Sequence, residues 1–135
     1  MEKECIIIPE IVLNWTDWIS WKDIEKDAGH GGAKIDSDPG VYEVKFKNSE
    51  ERLTIGKTAD LNKRIRRGLV QGKLSHSAGK QIRAKYMEEE LGKIVVRWAK
   101  TSWQSAAEEA LHKRYLEIFG KNPEYVRTKV IPNSI

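Results

Sequence analysis

The stretch from residue 57 to residue 86 concentrates the basic side chains of this chain. It holds nine lysines and arginines against one acid, Asp60. Cationic groups at this density are typical of a surface that binds a polyanion, because each can contact a phosphate oxygen. The alternative is a basic helix surface that contacts only water. His76 lies in the same stretch, and its ordinary pKa near neutrality suits it to exchanging a proton. The basic residues are Lys57, Lys63, Arg64, Arg66, Arg67, Lys73, Lys80, Arg83 and Lys85.

Charge is divided unevenly along the chain. Residues 1–40 hold 4 basic and 9 acidic side chains, about −5, whereas residues 41–135 hold 20 and 11, about +9. The length of 135 residues is enough for one domain with a hydrophobic core. A composition of 39% apolar and 33% charged residues is that of a globular chain and excludes the disordered and fibrous classes.

The composition also favours a location in the cytoplasm. No apolar run approaches the roughly 20 residues that span a bilayer, so we expect no membrane partner. The acidic start, residues 1–4, lacks the basic region of a secretory signal. Cys5 is the single cysteine, which excludes an intrachain disulfide and suits a reducing compartment.

A β-hairpin is predicted just ahead of the basic stretch. Tyr42, Val44 and Phe46 alternate with charged residues, which is typical of a half-buried strand. Residues 48–51 form a polar turn, and residues 53–55 return as a second strand that ends at Gly56. The hairpin therefore leads directly into the first basic residues.

Three helices and a third strand should follow the hairpin. Leucine and isoleucine four residues apart predict a helix over residues 60–69, and a second helix is expected at about 78–90. Residues 93–100 are rich in valine, isoleucine and tryptophan and predict a strand. The last helix, about 103–119, has Ser102 as its expected N-cap and Gly120 as its C-terminal stop. Its expected core stripe is Ala107, Leu111, Tyr115 and Ile118, with Glu108 at the border.

Residues 1–38 are predicted to form an N-terminal elaboration packed on a domain of residues 39–135. The apolar run of residues 6–13 contains Pro9, which favours an edge strand or an extended segment. Ser20 followed by Asp23 resembles a helix-capping signal. Three tryptophans recur at every third position; burial against the domain is expected, with base stacking as the alternative. They are Trp15, Trp18 and Trp21.

The ordered motifs resemble the GIY-YIG nuclease superfamily. Its first motif matches residues 40–42 (Gly-Val-Tyr), its second residues 54–57 (Thr-Ile-Gly-Lys), and its helical arginine Arg64, while its glutamate, after a third strand, matches Glu108. The resemblance covers about residues 39–126 and implies an α/β (α+β) fold with a three-stranded antiparallel sheet flanked by helices. Thr54 stands where the family has tyrosine, and Val126 where it often has asparagine.

The resemblance implies a nuclease that hydrolyses a phosphodiester with one divalent metal. Glu108 is the implied ligand of Mg²⁺ (or Mn²⁺), which keeps several waters and needs few carboxylates. Arg64 is implied to grip the scissile phosphate with its planar guanidinium. The flanking phosphates, of DNA by resemblance, are expected to contact Lys63, Arg66, Arg67 and Lys73.

Several side chains are candidates for activating the attacking water. Tyr42 is one, with Lys57 expected to stabilise its phenolate, because a free phenol near pKa 10 is protonated at neutral pH. His76 is an alternative base or proton donor. His112, one helical turn after Glu108, could orient or ligate, or be structural.

Two alternative functions, from other classes of protein, remain open. Because Thr54 replaces the second tyrosine, the chain could be an inactive nucleic-acid-binding module of the same fold. The acidic, tryptophan-rich segment 1–38 could instead make it a partner-binding scaffold. The sequence does not indicate an oligomeric state.

Overall fold

The structure, a computed structural model, describes residues 4–5 and 10–126. Its strands are β1 (Ile19–Ser20), β2 (Gly40–Phe46), β3 (Arg52–Thr58) and β4 (Ile94–Lys100). They form one antiparallel sheet in the order β1-β4-β2-β3. The fold is therefore of the mixed α and β class, and the predicted hairpin and third strand are confirmed as β2, β3 and β4.

The described helices are α1 (Trp21–Glu25), α2 (Asn62–Val70), α3 (Ser77–Lys85), α4 (Glu88–Leu91) and α5 (Gln104–Phe119), with a 3-10 turn at Ala28–His30. Helix α2 has π-type hydrogen bonds, which are one residue wider than those of an α-helix. No helix among the described residues has the length and apolar character to cross a membrane.

The prediction of three strands is wrong, because β1 adds a fourth. Ile19 pairs with Val96 and Ser20 with Val95, so β1 lies against the outer side of β4. A strand of two residues is too short to produce an alternating pattern, which is why the sequence did not indicate it. Of the predicted edge strand at 6–13, residues 6–9 lie outside the described residues, and residues 10–13 have no regular secondary structure.

The predicted helix boundaries need two corrections. The helix expected at 78–90 is split, because Tyr86 is extended and its ring packs edge-on against Phe46, with 5.0 Å between the ring centroids. Ser102 is not the N-cap of α5. Trp103 occupies that position, and its N–H is bound by the hydroxyl of Thr101 at 3.0 Å. Gly120 ends α5 in the left-handed conformation, as predicted.

The N-terminal segment and the rest of the chain share one hydrophobic core. Trp21 and Ile24 of α1 are fully buried beside Ile65 and Leu69 of α2 and beside Leu61, the N-cap of α2. The hydroxyl of Ser20 accepts the N–H of Asp23 at 3.2 Å, so the predicted cap of α1 is confirmed. Helix α1 is thus packed on α2, and the buried side chain of Trp21 contributes to the stability of the core.

Helix α5 lies across the outer edge of β3. Ala107 packs with Val41 and Ala99 on one face of the sheet. At the edge itself, the imidazole of His112 binds the carbonyl of Ile55 at 3.0 Å, and the hydroxyl of Tyr115 accepts the N–H of Arg52 at 3.1 Å.

The predicted core stripe of α5 is therefore only partly correct. Ala107 and Tyr115 are buried and Leu111 is half-buried, but Ile118 is 62% exposed. His112, which was not in the stripe, is only 5% exposed. A helix that straddles a sheet edge turns a different set of residues inward than a helix that lies flat on one face.

Segment 121–126 covers the rest of the edge of β3. The N–H of Tyr125 donates to the carbonyl of Leu53 at 2.7 Å, and that of Glu124 donates to the carbonyl of Arg52 at 3.5 Å. On the opposite edge, the N–H of Thr16 donates to the carbonyl of Trp98 at 2.9 Å. The outer edge of β3 and the part of β4 beyond β1 thus have partners within the chain.

Candidate active site

A cleft of about 570 Å³ opens on the Tyr42 face of the sheet, where α5 passes the edge of β3. The five residues predicted to be catalytic all line it, although they come from four different elements and one loop. They are Tyr42, Lys57, Arg64, His76 and Glu108. Thr54 and His112 line the same cleft. The fold therefore brings together five predicted catalytic side chains that are up to 66 residues apart in sequence.

A second hollow of about 400 Å³ lies on the other face of the sheet. Its lining includes Arg52 and Arg97, but both guanidinium groups bind the carboxylate of Glu43, with Nε to oxygen distances of 3.2 and 2.8 Å. Arg97 also lies over the rings of Trp15 and Trp18, at 4.2 and 4.6 Å from their centroids. These arginines already have internal partners, so the Tyr42 cleft is the better candidate.

Gly56 gives Tyr42 the space that it occupies. The two residues are directly paired across β2 and β3. A Cβ atom at position 56 would lie 2.3 Å from the hydroxyl of Tyr42, well inside contact distance. Any other residue at this position would displace the phenol. Thr54, two residues earlier on the same side of β3, is 4% exposed and lies in the cleft.

His76 donates a hydrogen bond to Tyr42. The Nδ1 atom of His76 accepts the N–H of Gly79 at 3.0 Å, so in the neutral ring the proton lies on Nε2. Nε2 is 3.0 Å from the Tyr42 hydroxyl oxygen, which therefore accepts. Burial first, and then the charges of Arg64 and Arg83, lower the pKa of His76 to about 4. His76 is thus neutral at neutral pH and has no free lone pair, which argues against the predicted role as base.

Tyr42 is protonated at neutral pH. Burial raises the pKa of the phenol and outweighs Arg64, whose charge and hydrogen bond lower it; Glu108 raises it further. Lys57 does not supply the expected stabilisation, because its ammonium group binds the hydroxyl of Ser105 at 2.9 Å. The cation that acts on Tyr42 is Arg64. Because the phenol oxygen accepts from His76, its own hydrogen can be donated into the cleft.

The depressed pKa of His76 predicts a loss of stability in mild acid. The unfolded chain takes up a proton near pH 6.5 and the folded chain only near 4, so stability that is present above pH 6.5 falls as the pH drops through this window. Between pH 7 and 5 the loss should be about 2 kcal/mol. Denaturant unfolding at both pH values measures it.

His76→Asn is the matched variant for this measurement, since an amide oxygen can still accept from Gly79 but does not titrate. Its unfolding free energy should fall by about 2 kcal/mol less than that of the native protein over the same pH range. Equal losses in the two proteins would show that His76 is not the source.

Arg64 and Arg66 lie two residues apart on α2 and have different surroundings. Arg64 is half-buried, lines the cleft, and donates to the carbonyl of Ser75 at 3.2 Å. Arg66 is 4% exposed and donates to the carbonyls of Ile24 (2.9 Å) and Ala33. The prediction that Arg66 contacts phosphate is wrong, because its guanidinium is used to fix the N-terminal segment. Three predicted phosphate contacts are exposed: Lys63, Arg67 and Lys73.

Glu108 and His112 lie one turn apart on α5 and both line the cleft. Glu108 is half-buried and has no ion pair within the described part of the chain. Because a carbonyl can only accept, the Nε2 atom of His112 carries the proton that binds Ile55. The remaining ring nitrogen, Nδ1, is buried and has no hydrogen-bond partner among the described residues.

These residues fit a divalent cation. The described residues contain no cluster of three or more acidic, histidine or cysteine ligands. A single carboxylate is nevertheless sufficient for Mg²⁺, which keeps much of its water shell. Glu108 supplies that carboxylate. The unpartnered Nδ1 atom of His112, which lines the same cleft, is a second candidate metal ligand.

Because comparison with known proteins gives no match, the function is inferred from the geometry of the cleft. Neither the protein-family models, nor the curated proteins, nor the solved structures include a match to this chain.

The geometry also adds two residues that sequence reasoning missed. Ser105 binds Lys57, and Gly79 fixes the tautomer of His76. Only Ser105 had a signal, since it lies three residues before Glu108 on the same helix face.

Proposed function

We propose that this protein is a metal-dependent endonuclease of the GIY-YIG type that hydrolyses phosphodiester bonds, with DNA as its substrate. The observation that carries the proposal is the convergence of Tyr42, Arg64 and Glu108 on one cleft. The cleft has the three groups that the reaction needs: a hydroxyl, a cation for the phosphoryl oxygens, and a carboxylate for a metal. Exposed basic residues of α2 and the following loop, Lys63, Arg67 and Lys73, extend the positive surface.

Each side chain has a distinct role in the proposed mechanism. The guanidinium of Arg64 binds two oxygens of the scissile phosphate. Glu108 would hold the cation, which when bound neutralises phosphate charge and acidifies water. Lys57, held by Ser105, contributes positive charge at the rim of the cleft.

Tyr42 acts as a proton relay, so that it need not be ionised at rest. Its oxygen accepts a hydrogen bond from His76, and the lone pair that binds Arg64 becomes available when Arg64 turns to the phosphate. The attacking water gives its proton to that lone pair, while the tyrosine hydroxyl gives its own proton to a phosphoryl oxygen. As the bond from phosphorus to the leaving oxygen breaks, the proton on the phosphoryl oxygen passes to the leaving oxygen. Tyr42 begins and ends neutral, which is consistent with its raised pKa.

The second candidate function is an inactive nucleic-acid-binding module with the same fold. Two observations favour it: Thr54 replaces the second motif tyrosine, and His76, which contacts Tyr42, is neutral with both ring nitrogens engaged. In this alternative Arg64 and the exposed lysines would still bind phosphate.

Nicking of supercoiled plasmid distinguishes the two functions. The endonuclease should convert supercoiled to open-circular DNA with Mg²⁺ or Mn²⁺ and show no conversion with EDTA. Binding to DNA, measured in parallel without metal, should weaken steeply as salt rises, because phosphate contacts release counterions. Salt-sensitive binding with no nicking under any metal condition would support the inactive module instead.

A further inference from the structure

One nitrogen atom of the cleft lacks the partner that its burial requires. His112 is 5% exposed, and its Nε2–H is used by the carbonyl of Ile55. The lone pair on Nδ1 therefore has no partner among the described residues. A buried acceptor without a hydrogen-bond partner reduces the stability of the folded protein by about 1–3 kcal/mol, so such an atom usually binds another group.

His76 provides an internal contrast. It is as deeply buried, at 4% exposed, but both of its ring nitrogens are engaged, by Gly79 and by Tyr42. Of the two buried histidines that line the cleft, His112 alone retains a free lone pair. The difference indicates that His112 is not simply a buried structural histidine.

We propose that Nδ1 of His112 is a second protein ligand of the divalent cation held by Glu108. The two residues are four apart on α5, so they lie on one face of the helix and line the same cleft. Histidine ligands commonly donate their other ring N–H to a backbone carbonyl, which fixes the tautomer and the ring orientation. The contact of His112 with Ile55 has this form.

An imidazole ligand changes which cation the site prefers. Mg²⁺ favours oxygen ligands, whereas first-row divalent metals also accept imidazole nitrogen. A site built from one carboxylate and one imidazole should therefore bind Mn²⁺ more tightly than Mg²⁺. The inference depends on the proposed function only for the presence of a cation at Glu108.

Calorimetric titration of the full chain with Mn²⁺ and with Mg²⁺ tests the proposal. The native protein should bind Mn²⁺ at least about tenfold more tightly than Mg²⁺. His112→Gln can still donate to Ile55 through its amide but lacks the Nδ1 lone pair. This variant should lose about 10- to 100-fold in Mn²⁺ affinity while its affinity for Mg²⁺ stays nearly constant. Unchanged Mn²⁺ binding in a folded His112→Gln protein would overturn the assignment.

A measurement on the native protein keeps the proposal testable if His112→Gln does not fold. Pulsed electron paramagnetic resonance of bound Mn²⁺ should show coupling to a ¹⁴N nucleus of imidazole, and absence of that coupling contradicts ligation. The outcome is separable from the plasmid assay. Nitrogen-coupled Mn²⁺ without nicking would retain the site and reject the endonuclease, whereas nicking without nitrogen coupling would do the reverse.

Discussion

Replacing Glu108 with glutamine should reduce metal-dependent cleavage at least about a thousandfold, while folding and DNA binding remain intact. The carboxylate would be the one acidic oxygen donor to the cation, and cations supply several kcal/mol of charge stabilisation in phosphoryl chemistry. Glu108 has no ion pair among the described residues, so its neutralisation removes no stabilising contact. Plasmid nicking under single-turnover conditions measures the effect.

Glu109→Gln is the matched control for this variant. Glu109 is the next residue on α5 and is exposed, and its carboxylate pairs with Lys113, at 3.2 Å, one turn away. An exposed pair of this kind is worth little, so the control should fold and cleave as the native protein does. Equal losses in the two variants would indicate a general effect of charge on α5, and full activity of Glu108→Gln would exclude the metal role.

Replacing Arg64 with alanine should reduce cleavage about 100- to 1,000-fold, the loss seen when a group that stabilises developing charge is removed. Arg64 lines the cleft and its charge acts on the Tyr42 phenol. Arg67 is exposed on the same helix, and its side chain makes no hydrogen bond or ion pair with the described residues, while its backbone carbonyl accepts the N–H groups of Lys73 and Leu74. Arg67→Ala should therefore change cleavage only slightly, although it should weaken DNA binding by the loss of one phosphate contact.

Arg64→Lys refines the comparison, because lysine keeps the charge and lacks the planar fork. Activity between that of the native protein and that of Arg64→Ala is expected. Comparable losses in Arg64→Ala and Arg67→Ala would mean that the wrong arginine has been placed at the scissile phosphate. Thermal unfolding of each variant separates these effects from instability.

Local sequence patterns were sufficient for the central part of the fold. Alternation in β2, the apolar run in β4 and the four-residue spacing in α2 were each sufficient to identify an element. The prediction that β2 is half-buried is wrong, because Glu43 and Lys45 on its second face are also buried. The pairing of β1 with β4 and the burial of Arg66 were not predictable in this way. Both depend on contacts between segments far apart in sequence, for which a local pattern carries no information.

The sequence was sufficient to predict which residues form the candidate site, but not the protonation of their side chains. Tyr42, Arg64 and Glu108 were identified by resemblance, and all three line the cleft. Which atoms carry protons could not be read from residue types. The tautomer of His76 is set by the N–H of Gly79, and that of His112 by the carbonyl of Ile55. These backbone groups reach the two rings only in the folded chain.

The covered edges of the sheet have a consequence for the behaviour of the protein in concentrated solution. An open strand edge is a template on which other chains can polymerise. Here His112, Tyr115 and Tyr125 occupy hydrogen-bonding positions along β3, while β1 is only two residues long. Strand addition at β3 would first require α5 and residues 121–126 to detach. The helix that carries Glu108 therefore also protects the edge of β3 in the native chain from amyloid-like assembly.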